Sequence, residues 1–285
     1  FLRYALKKGL QQQAELGVNS FKYGLISSTD THIAAPGLTM EKNHPGHGGA
    51  GMGAREGMPA GLPDELEFGP GGLAVLYAEE NSRDALFAAM QRREAYATSG
   101  TRPIVRFFGG YDFTEDDVSR TPAVAGYAKG VPMGGELAEA SPGKAPTFLV
   151  AAMKDPMSGN LDRIQVIKGW LDKDGKTHEK VYDVVWSDAQ RRHVANGRLT
   201  PVGNTVDVAR ASWTNTIGAP ELATVWRDPD FDPTERAFYY ARVIEIPTPR
   251  WTAYDAAYFK VKMGPEVPMI TQERAFTSPI WYIPK

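Results

Sequence analysis

The sequence predicts an α/β segment followed by an antiparallel, β-sandwich-like domain, with the boundary near residue 110. Three observations carry that expectation. Up to about residue 108 the chain alternates helix, strand, long loop, strand, helix and strand, the order of a parallel α/β sheet or barrel. From about Tyr111 helical periodicity mostly disappears. Short strand-like runs replace it, divided by turn signals such as Lys173-Asp174-Gly175 and Asp228-Pro229-Asp230, as in a sandwich.

Each element has a local reason. Residues 1–17 read as an amphipathic helix, because Leu2, Leu6 and Leu10 recur at helical spacing and Gly17 is a stop signal. Phe21–Ser28 reads as a strand that runs into Thr29-Asp30-Thr31-His32. The Gly- and Pro-rich stretch Pro36–Gly72 far exceeds an ordinary connection of ~4–6 residues and reads as a lid-like loop. Leu73–Tyr77 is a short apolar strand. Asn81 or Ser82 caps a helix that runs to Arg93, with Ala85, Leu86, Ala89 and Met90 on one face. Ile104–Phe108 is the next strand. In the second half, strands are expected at Thr147–Ala152, Arg163–Lys168, Lys180–Val185, Thr205–Val208, Ala237–Ile246 and Ile280–Ile283.

Composition narrows the function classes. The 285 residues carry 32 basic and 34 acidic side chains, for a formal net charge of −2, so the basic excess of a nucleic-acid binder is missing. No apolar run approaches the ~20 residues that span a bilayer; the most apolar stretch is Thr147–Met153. With zero cysteines, disulfides, thiolate metal ligands and a cysteine nucleophile are excluded, and a transition-metal site must use His, Asp and Glu. The chain opens on Phe1 with a helical pattern already under way, which reads as a piece of a longer protein.

The sharpest local feature is Asp30-x-His32 at the end of an apolar strand. Residues two apart in an extended strand point to one side, so a carboxylate and an imidazole can converge on one zinc, manganese or iron ion. The bland alternative is an aspartate capping a turn with a histidine packed beneath it. A second feature is Arg92-Arg93-Glu94-Ala95-Tyr96-Ala97-Thr98-Ser99-Gly100-Thr101-Arg102. Here Arg93, Thr98, Ser99 and Arg102 are candidates to hold an anionic oxygen; a connector whose hydroxyls satisfy its own turn is the weightier alternative. His44 and His47 lie in the glycine-rich loop and are candidate supporting groups near a metal. Glu79 and Glu80 follow a strand, where one can act as a base or orient a ligand, or both can simply precede a helix N-terminus. Asp228, Asp230 and Asp232 alternate, but Pro229 and Pro233 favour a rigid turn over a calcium loop. Trp170, Trp213, Trp226 and Trp251 are candidate sugar platforms if exposed, and core residues otherwise.

Four segments together carry a resemblance: GLISSTDTHIAAPG (24–37), GLAVLYAEENSRDALFAAMQRREAYATSGTR (72–102), ERAFYYARVIEIPTPRW (235–251) and ERAFTSPIWY (273–282). Together they resemble a bacterial family of unknown function whose barrel is related to the PHP (polymerase and histidinol phosphatase) metallohydrolases. The resemblance implies a distorted (β/α) barrel that binds two or three divalent metals, with Asp30 and His32 matching the last D-x-H motif. It implies that residues 1–110 are the C-terminal part of that barrel, completed by an upstream part, and that 111–285 form an appended β-rich domain. The expected activity is that of a metal-dependent, phosphoesterase-like hydrolase acting on a small molecule, with this piece alone inactive. The alternative is a non-catalytic module that recognises a saccharide or a protein, or that mediates self-association. A bacterial envelope or secreted location fits a cysteine-free chain of this type.

Overall fold

The structure is a computed structural model and describes residues 2–29, 56–57, 69, 71–119 and 121–284. The first elements are α1 (Leu2–Leu16), β1 (Leu73–Leu76), α2 (Arg83–Arg92), β2 (Ala95–Thr98) and β3 (Ile104–Gly110). Then come α3 (Glu115–Ser119), α4 (Pro122–Lys129), β4 (Gly130–Pro132), β5 (Glu136–Leu137), β6 (Thr147–Met153), β7 (Leu161–Leu171) and β8 (Thr177–Trp186). The last are β9 (Val194–Ala195), β10 (Arg198–Leu199), β11 (Glu221–Arg227), β12 (Arg236–Pro249), α5 (Trp251–Phe259), β13 (Ile270–Thr277) and β14 (Ile280–Tyr282).

Two sheets face each other. In the larger one, β12 pairs on one edge with β7, and β7 with β8; on its other edge it pairs with β13 and β14. β2 and β1 extend the sheet beyond β13, and β5 joins β14 in parallel. The smaller sheet runs β11-β6-β3-β4 and is antiparallel throughout. Strands from both sides of residue 110 therefore share both sheets. The interior between them holds Phe107, Phe148 and Val150 from one side and Ile164, Val166, Tyr239 and Val243 from the other.

Helices cover the outer faces. On the larger sheet Leu6 and Leu10 of α1 are fully buried against Ile167, Phe238, Tyr240 and Trp281. Burying such a leucine contributes about 1.5–3 kcal/mol. Gly17, at φ 75°, ends α1 in the left-handed region that glycine adopts without strain. On the smaller sheet, α3 and α4 lie over Phe108 and Leu149. β12 is buried on both faces, Ala237, Tyr239, Ala241 and Val243 inward and Phe238 and Tyr240 outward. That explains why its sequence is a continuous apolar run rather than an alternating one.

The expected α/β barrel portion is corrected by this architecture. Among the described residues the chain is mainly β, 36% strand and 19% helix, and apart from the parallel β5–β14 pair its sheets are antiparallel. The physical cause is visible at α2. Ser82 caps it as expected, its side chain accepting from the Ala85 N–H at 3.3 Å. Of the predicted apolar face, however, only Ala89 is buried, and Met90 is exposed. A helix with so little to bury cannot lie along a sheet as a crossover. Arg93 instead takes a left-handed conformation at the helix end, and β2 returns antiparallel beside β1, pairing Leu76 with Ala95.

Phe21–Ser28 is not a strand, because its N–H groups are satisfied singly: Phe21 by Asn19 Oδ1, Tyr23 by Phe21 O and Leu25 by Ser278 Oγ at 2.8 Å. Thr205–Val208 is likewise irregular, with only a bridge from Asp207 to Ser212. Three helices, α3, α4 and α5, lie in the half expected to lack them.

Candidate functional site

The loop between β2 and β3 holds two of the four predicted anion-binding residues, Ser99 and Arg102, and Thr98 ends the strand before it. It packs backbone to backbone on a double glycine. A Cβ at Gly71 would stand 2.8 Å from the Gly100 Cα, and one at Gly72 would stand 2.2 Å from the Ser28 carbonyl oxygen. Only glycine permits such approaches. The loop, residues 71–72 and residues 27–28 thus form one packed wall.

The hydroxyls of the loop turn inward to carboxylates. Ser99 Oγ hydrogen-bonds Glu273 and accepts from the Arg274 N–H at 2.8 Å. Thr101 Oγ1 donates to Glu245 Oε1 at 2.7 Å. Ser158 Oγ donates to the other oxygen, Oε2, at 2.5 Å. Asp155 stands alongside and accepts from the Arg102 N–H at 2.9 Å. Glu245 is 1% exposed. Burial pushes its carboxyl up to about 7. The two hydroxyl donors pull the other way, and the neighbouring Glu273 and Asp155 charges add to the rise. A carboxyl that exchanges its proton near neutral pH has the acidity of a general acid–base group.

The four predicted anion binders separate on this geometry. Arg93 donates from Nε to the Gly134 carbonyl at 3.1 Å and from Nη1 to the Lys22 carbonyl at 3.4 Å, pinning two chain segments. Thr98 is buried, and its Oγ1 accepts from the Gly100 N–H at 3.3 Å. Ser99 is held by Glu273. The exposed member is Arg102. Asp30, His32, His44 and His47 lie outside the described residues. Glu79 and Glu80 are exposed just ahead of α2, away from the carboxylate cluster. Among the described residues no group of three or more His, Asp or Glu is placed to hold a metal ion.

Sequence reasoning passed over Glu245, Glu273, Asp155 and Ser158. One signal was present: Glu245 is the one acidic residue inside the apolar run of β12, and a buried charge needs partners. Its partner Thr101 is 144 positions away, which no local pattern reveals.

A second buried polar group centres on Asp228, whose partners Lys168 and Tyr239 the sequence did not point to. Lys168 Nζ lies 2.7 Å from Asp228 Oδ2, and Tyr239 donates its hydroxyl to the same oxygen at 2.7 Å. The expected rigid turn follows, with the Asp230 N–H bonded to Asp228 Oδ1 at 2.9 Å. None of the four named tryptophans stands exposed. Trp251 is buried, Trp170 and Trp226 pack against the core, and Trp213 is half-buried.

Fold and site define a helix-flanked, antiparallel β-sandwich with a buried carboxylate–hydroxyl cluster at one end. The chain belongs to the family described as "Protein of unknown function (DUF3604)", whose model matches residues 1–284. No curated protein and no solved structure matches it. Within the described residues no helix is long and apolar enough to cross a membrane.

Proposed function

We propose that this chain forms part of a divalent-metal-dependent hydrolase acting on a phosphoester. Asp30 and His32 supply metal ligands, and the Glu245–Glu273 cluster is a positioning element. The observation that carries the reading is the wall of Ser27–Ser28, Gly71–Gly72 and Ser99–Thr101, backed by Glu245 and Glu273. Asp30-Thr31-His32 follows Thr29 directly in the sequence. A carboxylate and an imidazole suit zinc, manganese or iron. When bound, the ion activates water and offsets charge on the phosphoryl oxygens.

Glu245 does not reach a substrate, since it is buried; it acts through Thr101, and Glu273 acts through Ser99. Together they hold the loop so that Arg102 projects toward solvent, where it can meet an anionic group.

A second reading, a non-catalytic structural module, is favoured by the inward bonding of Ser99 and Thr101, which leaves those hydroxyls committed to the fold. Saccharide recognition keeps little support once the tryptophans are packed away. Hydrolysis of 4-nitrophenyl phosphate by the intact protein with Mn²⁺ or Zn²⁺ separates the two readings. Asp30→Ala and His32→Ala are expected to lose at least about tenfold to a hundredfold in kcat/KM and in metal content. Equal activity and equal metal content in all three proteins would leave the structural module standing.

A further inference from the structure

On the outer face of the larger sheet, away from the carboxylate cluster, lies a groove of about 550 Å³. α1 closes one side of it and residues 23–27 the other. Its lining changes in character from rim to floor. Leu2, Tyr23 and Ile26 stand 39%, 45% and 64% exposed around the opening, a costly placement for apolar side chains unless something covers them. The half-buried Phe276 supplies aromatic surface, Tyr240 lines the groove with little exposed area, and Arg3 and Arg242 line the same space.

The charges are out of balance. Arg242 donates from Nε and Nη2 to the single Oε1 of Gln165, at 2.8 and 2.5 Å, so its close acceptor is a neutral amide. It forms no ion pair among the described residues. Burial and the charges of Arg274, Arg3 and Arg163 all work against its protonated form, and only the Tyr240 hydroxyl works for it. The carboxylates on this face are already engaged. Glu179 holds both Arg3, at 2.7 Å, and Lys7, at 2.9 Å. Asp183 holds Arg163 at 3.2 Å and accepts from Gln165 at 2.7 Å. Arg274 lies two residues before Phe276 on the same face of β13, with its side chain exposed and no ion pair among the described residues. Arg242 therefore lines the groove without a counter-charge among the described residues, and the charge of Arg274 on β13 acts on it as well.

We propose that this groove is a binding site for a small organic anion with a flat apolar body, a phosphate monoester or a carboxylic acid. The anionic group meets the free donor edge of Arg242, with Arg3 and Arg274 nearby; the apolar body lies on Phe276 under the Tyr23–Ile26 rim. A guanidinium that keeps unused N–H donors matches oxyanions geometrically. The volume falls in the range of small-molecule sites. Among the described residues the groove shares only Ser27 with the wall of the hydrolase reading, and the Glu245 cluster does not line it.

Titration calorimetry of the intact protein with 1-naphthyl phosphate, in excess chelator so that no divalent metal contributes, tests the site. Inorganic phosphate and 1-naphthol serve as the two halves of the probe. The expected result is saturable one-to-one binding of naphthyl phosphate, with each half weaker by about tenfold or more. Arg242→Gln is expected to weaken naphthyl phosphate binding by at least about tenfold. Tyr23→Ser, on an exposed rim where folding is not at risk, is expected to weaken naphthyl phosphate several-fold and leave inorganic phosphate unchanged. Binding of naphthol as tight as that of its phosphate would overturn the anion assignment. Equal affinity for inorganic phosphate would overturn the apolar one. Naphthyl phosphate binding that is absent, or that both variants leave intact, would overturn the site.

Discussion

Two buried carboxylates in one strand neighbourhood have opposite settings. Asp228 reaches the interior next to Tyr239 near the start of β12, where the Lys168 ammonium meets it at 2.7 Å. Glu245 lies six residues further along β12, about 20 Å in an extended strand. It has only hydroxyls to bond and two carboxylates as neighbours. Both are almost fully buried, at 2% and 1% exposed. The contrast shows what burial alone does not decide. A carboxylate with a buried cation is held in an ion pair, and here it also bonds the turn at Asp228–Asp230. One held by neutral donors keeps its proton up to about neutral pH.

The largest effect should come from breaking the ion pair. Lys168→Met leaves Asp228 buried beside Tyr239 without its cation, and a loss of about 3–5 kcal/mol is expected in urea unfolding. Lys168→Met combined with Asp228→Leu should recover most of that loss, because no lone charge then remains. If the single variant cost under about 1 kcal/mol, Asp228 and Glu245 would not differ in kind.

The next effect is the pH signature of Glu245. Its carboxyl sits at about 7 in the fold against an ordinary value of 4.5. Between those values the native state holds a proton that the unfolded chain has released. This contribution is therefore complete below about pH 4.5 and is lost as pH rises through about 7, with a span of about 3 kcal/mol. Glu245→Gln keeps a neutral group there and should flatten that slope, so that the variant gains on the parent protein from pH 5 to pH 8. Thermal unfolding across this range reads it directly, and parallel profiles for the two proteins would remove Glu245 as the titrating group.

The smallest effect sharpens the comparison. Ser158→Ala and Thr101→Ala each remove one hydroxyl donor and should cost about 1–2 kcal/mol. Because these donors stabilise the ionised form, each loss should also move the Glu245 midpoint above 7. A downward movement would contradict the assigned hydrogen bonds.

Much of the secondary structure is readable without coordinates. The α1 stripe of Leu6 and Leu10, the Ser82 cap and the apolar runs of β3, β6, β7, β8, β12 and β14 follow from local spacing and composition. β11 and β13 escaped because Glu221, Thr224, Gln272, Glu273 and Arg274 interrupt their apolar residues. Glu273 in particular is polar because it meets Ser99, 174 positions away. The same holds for the candidate site. The stretch Thr98–Arg102 is conspicuous in the sequence, but its hydroxyls read equally well as anion binders or as turn partners. Coordinates show that they face carboxylates.

From its sequence alone, this chain determines α1, α2 and the strands β3, β6, β7, β8, β12 and β14, because capping, periodicity and turn chemistry act within a few residues. Only the tertiary structure decides that β1 and β2 run antiparallel rather than through a crossover. That outcome depends on how little apolar surface α2 has to bury against the sheet. The same level decides which carboxylate finds a cation and which finds only hydroxyls, since those partners come from distant parts of the chain and meet only when the two sheets close.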